Sequence, residues 1–204
     1  MRISKRIQFN APVILSFTGL SLIALILGYI TGGASNKALF SVYRSSPVNP
    51  LTYVRLVTYV LGHSGYEHYI NNMLMILVIG PAMEEKYGSG PLLRAIVITA
   101  VITGLVQMVF SPHTALLGAS GIVFMLIVLS SLSGMQERRI PLTLILVFIF
   151  YIGGEIVAGF FSRDNISHIG HIIGGLSGAV IGYSLEQRKR TKKGRPQESG
   201  KNSV

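Results

Sequence analysis

The chain has 204 residues; half are hydrophobic, 13% are charged and 23 are glycine, a balance that indicates an integral membrane protein rather than a soluble domain. The absence of cysteine excludes disulfides, thiol catalysis and thiolate metal sites. Seven of the 18 basic residues behind the net charge of +10 lie in the polar tail, where they favour contact with anionic lipid at the cytoplasmic face over a nucleic-acid partner.

Apolar runs of about 20 residues predict six transmembrane helices. These spans lie near 12–30, 67–83, 91–110, 116–134, 140–159 and 167–185. Glycine, proline and serine separate them, and most connections are short, so sequential helices should be antiparallel neighbours. The predicted fold class is therefore an all-α membrane protein, a bundle of six transmembrane helices.

The sequence divides into three parts. Residues 1–11 form a cytoplasmic amino-terminal segment, 12–186 form the membrane domain, and 187–204 form a basic cytoplasmic tail that we expect to be disordered. The one long connection, 31–66, mixes tyrosines with short apolar runs and two prolines. We expect it to lie on the outer side, against the membrane surface rather than across it.

The basic residues near the ends of the spans predict the orientation. With the amino terminus inside, fourteen of the 18 flank the inner ends and only Lys37, Arg44, Arg55 and Arg163 flank the outer ends. Both termini should then be cytoplasmic, as an even number of spans requires. A cleaved signal peptide is the alternative for the first span, but its apolar run is longer than a typical signal core.

A serine lies near the outer end of the fourth span, in Gly118-Ala119-Ser120-Gly121, about one turn below the start of that helix. His168 and His171 fall in the first two turns of the sixth span, whose start Asp164 or Asn165 can cap. Both spans run inward from the outer side. The serine and the two histidines should therefore share one depth in the membrane.

A row of glycines selects between the two histidines. At about 100° per residue, one face of the sixth span includes His171 and excludes His168. That face consists of Gly170, Gly174, Gly178 and Gly182. Glycine rows let helix backbones approach closely, and the small residues around Ser120 offer a matching surface. Contact between these faces would bring Ser120 and His171 within hydrogen-bond reach, as an activated serine nucleophile needs.

Each of these features also has a simpler interpretation. A membrane serine can hydrogen-bond its own helix, and a lone histidine more often packs or lines water. The joint match in depth, face and packing favours a nucleophile and its base. On the second span, His68 and Asn72 lie one turn apart near the outer end and can stabilise an oxyanion with the Ser120 amide; capping at the membrane interface is the alternative.

Together these motifs resemble the rhomboid family of intramembrane serine proteases over about residues 53–186. The resemblance rests on His63, His68 and Asn72 within 62–72, on Gly118 to Gly121, on the segment from His171 through Gly174 to Gly178, and on Glu84 followed by Gly88. It implies that Ser120 is the nucleophile, that His171 is its general base without a carboxylate, and that His68 and Asn72 form the oxyanion site.

The resemblance also implies supporting roles. Phe124 stands where the family often has an aromatic ring packed on the histidine, His63 would be structural, and Gly118, Gly121, Gly174 and Gly178 would allow the close packing. The family's Trp-Arg pair in the first loop is replaced by Val54-Arg55, since the chain has no tryptophan.

The implied activity is endoproteolysis of transmembrane segments near the outer face, in a prokaryotic inner or plasma membrane, with no cofactor and no metal ion. Single-pass or other transmembrane proteins would be the substrates, entering between the second and fifth helices. The alternatives are a non-catalytic rhomboid-like factor that binds membrane proteins and a small transporter, for which Glu155 in the fifth span is the best argument. The sequence leaves the oligomeric state and the natural substrate open.

Overall fold

The computed structural model describes residues 9–133, 139–154, 157 and 168–193. The regular secondary structure in these ranges is helical, apart from one isolated antiparallel bridge between Val42 and Leu116. The helices are α1 (Pro12–Ile30), α2 (Ala34–Ala38), α3 (Pro50–Thr58), α4 (Tyr66–Tyr87), α5 (Ser89–Phe110), α6 (Ser120–Ser133), α7 (Leu142–Val147) and α8 (His168–Lys193). A 3₁₀ turn, Tyr59–Leu61, follows α3, and a π-helical turn, Phe148–Ile152, continues α7.

Two of the described helices, α1 and α5, are long and apolar enough by themselves to cross a membrane, and α6 is apolar but shorter. The exterior of these helices is apolar: Ile30 is 75% exposed and Val109 is 67% exposed. Polar side chains such as Thr99 and Gln107 are instead buried. This distribution suits contact with lipid, because large exposed apolar surface is costly in water.

The start of α6 corrects one expectation from the sequence. The fourth span was predicted from residue 116, with Ser120 about one turn inside it, but the helix begins at Ser120. Leu116 instead exchanges two backbone hydrogen bonds with Val42, at 2.8 and 2.9 Å. Gly118 has φ +127°, which no helical residue adopts. The serine is therefore at the amino-terminal tip of α6.

Other boundaries differ less. Helix α4 continues to Tyr87, and α8 continues to Lys193, beyond residue 187 where the tail was predicted to start. Lysine and arginine are good helix formers, so a basic run extends a helix readily. The fifth span was predicted over 140–159, and the described part of it is α7 with its π-helical turn. Glu155, Asp164, Asn165, 1–8 and 194–204 lie outside the described residues.

A buried carboxylate joins α1 to α4. The N-cap residue of α1, Ala11, has no side chain that can accept a hydrogen bond. Glu84 of α4 supplies the acceptor, since its two oxygens receive the backbone N–H groups of Val13 and Ile14, both at 3.0 Å. Ser89 also donates to Glu84, at 2.7 Å. A negative charge at a helix amino terminus is favourable, so Glu84 fixes the start of α1.

The most extensive helix pair is α6 with α8. A Cβ atom added at Gly174 would lie 2.9 Å from the Cα of Gly121, and one added at Gly178 would lie 2.5 Å from the Met125 carbonyl oxygen. Real Cβ contacts are not this short, so only glycine fits at either position. The glycine face predicted from the sequence therefore lies against α6, with the two backbones in contact.

Helices α4 and α6 both end beside Glu186 of α8. This buried carboxylate accepts a hydrogen bond from the Tyr87 hydroxyl at 2.7 Å and forms an ion pair with Lys86 at 2.8 Å. Lys86 also donates to the carbonyl oxygen of Ser133, the last residue of α6. These contacts fix the position of α8 along the other two helices.

The long first connection contains α2, α3 and the 3₁₀ turn. Arg55 is buried in it and donates to the Tyr43 hydroxyl at 3.0 Å and to Ser45 Oγ at 2.9 Å. Its guanidinium also lies over the Tyr43 ring, 4.5 Å from the ring centroid. Arg55 therefore holds the loop together without a tryptophan beside it.

Candidate active site

The candidate nucleophile, Ser120, is the first residue of α6 and is partly exposed. The segment before it is fixed at two points: Leu116 pairs with Val42, and the Gly118 N–H donates to the Tyr59 carbonyl oxygen at 3.0 Å. The first N–H groups of a helix have no partner within the helix, and this end carries partial positive charge. A negative charge that develops beside Ser120 would be stabilised there.

His68, in the first turn of α4, lies directly against this segment. A Cβ atom at Gly118 would be 2.7 Å from both Nε2 and Cε1 of the His68 ring. Glycine is therefore required at position 118 for two reasons: the His68 ring occupies the space of a side chain, and the φ of +127° disfavours any L side chain. The missing side chain leaves the room that the His68 imidazole occupies beside the loop.

His171, in the first turn of α8, faces the same region. Gly121 packs against this turn: a Cβ atom there would lie 3.4 Å from the Gly170 carbonyl oxygen. The His171 ring is stacked on Phe124, with the centroids 4.5 Å apart and the planes 8° apart. It also interacts electrostatically with His68. Ser120, His68 and His171 therefore converge from α6, α4 and α8.

His168 occupies a different position from His171 on α8. Its ring is edge-on to that of His171, with centroids 6.5 Å apart. The stack with Phe124 orients the His171 ring and restricts its rotation. His171 is thus held by a residue of α6.

His63 lies behind His68 and is almost fully buried, 1% exposed. Its Nδ1 is 3.1 Å from the Leu61 carbonyl oxygen, and its ring packs edge-on against His68 and Tyr69, at 5.0 and 5.5 Å between centroids. Burial, together with repulsion from His68, lowers the pKa of His63 to about 4. His63 is therefore neutral at physiological pH and supports the ring of His68.

Asn72 is one turn after His68 and is buried. Its side-chain nitrogen donates to the His68 carbonyl oxygen at 3.0 Å. A carboxamide nitrogen carries two N–H groups, so this bond leaves one donor for another acceptor. The same bond holds the Asn72 side chain against the turn that carries His68.

Helix α5 has a buried polar face that was not predicted from the sequence. Thr99, Thr103 and Gln107 are all buried. Thr103 lies beside Gly121: its Oγ1 would be 3.9 Å from a Cβ atom added at that glycine. Gln107 donates to Thr114 Oγ1 at 3.0 Å, in the loop before α6. These three polar residues are spaced four apart within an apolar span, and this spacing alone indicates that they share one face of the helix. Thr103 and Gln107 therefore place polar groups of α5 beside the start of α6 and the loop before it.

A cavity of about 300 Å³ lies behind His63 and Ser64, against the carboxyl-terminal end of α1 and Asn36. Its described lining does not include Ser120 or His171. The chemistry is therefore assigned from the converging side chains and not from this cavity.

Comparison with known proteins gives the family. Residues 50–188 match the family model described as "Rhomboid domain". The chain belongs to the rhomboid family. This confirms the resemblance drawn from the motifs, and it makes the chain an integral membrane protein, as rhomboid family members are.

Its relatives include bacterial proteins named as proteases. It is 34% identical over 172 residues to "Rhomboid protease GluP" of Bacillus subtilis (strain 168), covering 80% of this chain and 33% of the relative. It is 31% identical over 183 residues to "Rhomboid protease GlpG" of Salmonella choleraesuis (strain SC-B67), covering 85% of this chain and 65% of the relative. The chain thus spans less than two thirds of the length of either relative.

Proposed function

We propose that the protein is an intramembrane serine endopeptidase in which Ser120 is the nucleophile and His171 the general base. The observation that carries this proposal is the contact between Gly121 and the α8 turn that bears His171, with Phe124 stacked on the imidazole. Kinship with proteins named as rhomboid proteases supports the same reading.

The reaction is acyl transfer to serine and then to water. His171 takes the proton of the Ser120 hydroxyl as the oxygen attacks the peptide carbonyl carbon, and the carbonyl electron pair moves onto its oxygen. The tetrahedral intermediate collapses when the C–N bond breaks, and the leaving amine takes the proton from the His171 imidazolium. Water, deprotonated by His171, then releases the acyl group and regenerates the serine.

The negative oxygen of the intermediate needs donors. The Ser120 amide at the tip of α6, the His68 ring and the second N–H of Asn72 are suited to this role, since His68 lies against the segment before Ser120 and Asn72 is one turn after His68 on α4. The start of the helix at Ser120 supports this part of the proposal, because an amide inside the helix would already be bonded.

We further propose that the chain forms six transmembrane helices over 12–186, with both termini in the cytoplasm and the site near the outer face of a prokaryotic inner membrane. Transmembrane proteins would be the substrates and would enter beside α7, between the second and fifth spans. The basic residues at the inner ends and the apolar exterior of the described helices support this arrangement.

Reconstitution with a single-span model substrate tests the chemistry. Ser120→Ala and His171→Ala should each lower cleavage by about 10⁴-fold or more, because the residues act as one unit. His168→Ala is the matched control on the same helix and should retain most activity. Cleavage that survives Ser120→Ala would refute the assignment. A fluorophosphonate probe should label the wild-type protein at Ser120 and should not label the Ser120→Ala variant.

Cysteine labelling tests the topology, since the chain has no cysteine of its own. In intact spheroplasts a membrane-impermeant maleimide should label Val48→Cys, at a loop position that is 88% exposed. It should label Ser4→Cys and Ser203→Cys only after permeabilisation. Labelling of either terminus in intact spheroplasts would overturn the cytoplasmic placement.

A further inference from the structure

The hydrogen bonds of His68 determine which of its ring nitrogens carries the proton. Its Nδ1 lies 3.1 Å from Ser64 Oγ and 3.5 Å from the Ser64 backbone nitrogen. A backbone N–H only donates, so Nδ1 must accept. A neutral imidazole that accepts at Nδ1 carries its proton on Nε2.

The protonated edge of the ring faces the segment that bears the nucleophile. Nε2 and Cε1 are the ring atoms that a side chain at Gly118 would contact, and Gly118 is two residues before Ser120. His63 packs edge-on against the ring from behind, at 5.0 Å between centroids. The orientation of His68 is thus set by packing, and its tautomer by Ser64.

We propose that Ser64 is a positioning residue for the proteolytic reaction: it holds His68 in the tautomer with the proton on Nε2, where the ring donates to the oxyanion formed at Ser120. This inference rests on the proposed function and adds a residue to it. In the opposite tautomer, a lone pair on Nε2 would face the negative oxygen and repel it. No proton leaves His68 in the reaction, because the proton of Ser120 goes to His171.

The hydroxyl contributes more than the backbone of the same residue. At 3.1 Å the Oγ contact is a normal hydrogen bond, whereas 3.5 Å is long for the N–H contact. Ser64 is also exposed. The N–H makes Nδ1 an acceptor, so the hydroxyl donates to it as well; without the hydroxyl, Nδ1 would keep only the long backbone contact, and the preference for a proton on Nε2 would weaken.

The residue does not act as an ordinary helix cap. The N-cap of α4 is Gly65, which has no side chain, and the Tyr29 hydroxyl accepts from the Tyr66 N–H at 3.1 Å in its place. The Ser64 side chain is directed instead to the ring of a residue four positions later. Loss of the hydroxyl should therefore change the chemistry of His68 before it changes the stability of the helix.

Nitrogen NMR of ¹⁵N-histidine-labelled protein in detergent micelles tests the tautomer directly. In a Ser120→Ala background, His68 should show a protonated Nε2 and an unprotonated Nδ1, and adding Ser64→Ala should produce a mixture of tautomers. Protonation at Nδ1 with Ser64 intact would overturn the inference. The NMR spectrum does not depend on proteolytic activity, so it tests the tautomer separately from the proposed function. A failure of the proposed function would instead appear as cleavage that persists in Ser120→Ala.

Kinetics in the otherwise wild-type protein give the second readout. Ser64→Ala should lower kcat about tenfold, less than the loss of a whole oxyanion donor, with KM within about twofold. Ser64→Thr should restore kcat, because threonine keeps the hydroxyl. The control is Ser111→Ala on the outer side, where Ser111 bonds to Gln107 and Thr114 through backbone atoms. An unchanged kcat in Ser64→Ala, or no rescue by threonine, would overturn the inference.

Discussion

The two ends of the α6–α8 pair, the amino-terminal end that we propose to be the outer one and the carboxyl-terminal end that we propose to be the inner one, are held together by different forces. At the outer end, the backbones of Gly121 and Gly174 touch, and the nearby imidazoles are held by rings and backbone groups. At the inner end, Glu186 pairs with Lys86 and accepts from Tyr87. Close packing of uncharged groups thus forms the candidate site, while a charged contact at the other end of the helix pair fixes the register of α8.

The uncharged packing at one end suits catalysis, and the ion pair at the other end suits the positioning of α8. A general base must be neutral before the reaction, and a serine hydroxyl gains from a small space with few competing charges. The inner end has no such requirement, so a carboxylate can be kept charged by a lysine and a tyrosine. Perturbing the outer end should therefore change activity most, and perturbing the inner end should change stability alone.

The largest effect should come from filling the glycine contact. Gly174→Val places side-chain atoms against the backbone of Gly121, which cannot move aside, so α8 must shift and carry His171 away from Ser120. We expect cleavage of a model substrate to fall more than about 100-fold. Gly19→Val is the control, since nothing lies within 4 Å of its Cβ position on α1. Equal activity losses in the two variants would contradict the packing argument.

The next effect should come from Gly118→Ala. The new methyl group would lie 2.7 Å from the His68 ring and would displace it, and we expect kcat to fall by about 10²-fold through loss of an oxyanion donor. Gly33→Ala provides the comparison, because Gly33 also has positive φ, +87°, but no atom within 4 Å. That variant should cost about 1 kcal/mol of backbone strain and leave kcat unchanged. An equal fall in kcat in both variants would assign the effect to backbone strain and not to the displacement of His68.

The pH dependence of stability should identify His63 as a buried neutral group. Its folded pKa of about 4 lies below the ordinary 6.5, so between these values the unfolded chain binds more protons. The free energy of unfolding should be fully retained above pH 6.5 and fall by about 3 kcal/mol as the pH drops to 4. His63→Gln should lack this part of the decline when unfolding is followed in detergent. Parallel curves for the two proteins over this range would refute the expectation.

The smallest effect should come from Glu186→Gln at the inner end. Glutamine can still accept from Tyr87 but cannot pair with Lys86, which is partly exposed, so we expect a loss of about 1 kcal/mol of stability. Cleavage below the unfolding temperature should stay within about twofold. A double-mutant cycle with Lys86→Met isolates the pair. A fall in kcat comparable to that of Gly118→Ala would show that the two ends are not separable.

Much of this protein followed from the sequence because the signals were local or periodic. The apolar runs indicated a membrane protein, the spacing of Gly170, Gly174 and Gly178 predicted which face of α8 packs closely, and that face separated His171 from His168. The motif from His63 to Asn72 led to the rhomboid family, which the family match confirms. Periodicity suffices here because a helix converts fixed spacing into a shared face.

Only the tertiary structure decided features that depend on distant segments. Ser120 became the tip of α6 because Leu116 pairs with Val42, 74 positions earlier, and Gly118 turns against His68. Likewise the partner of Nδ1 in His68, the polar face of α5 and the contact of Glu186 with α4 depend on how separate helices meet. Spacing along one helix fixes direction around its axis, but the depth and register of one helix against another are set by contacts that no single segment contains.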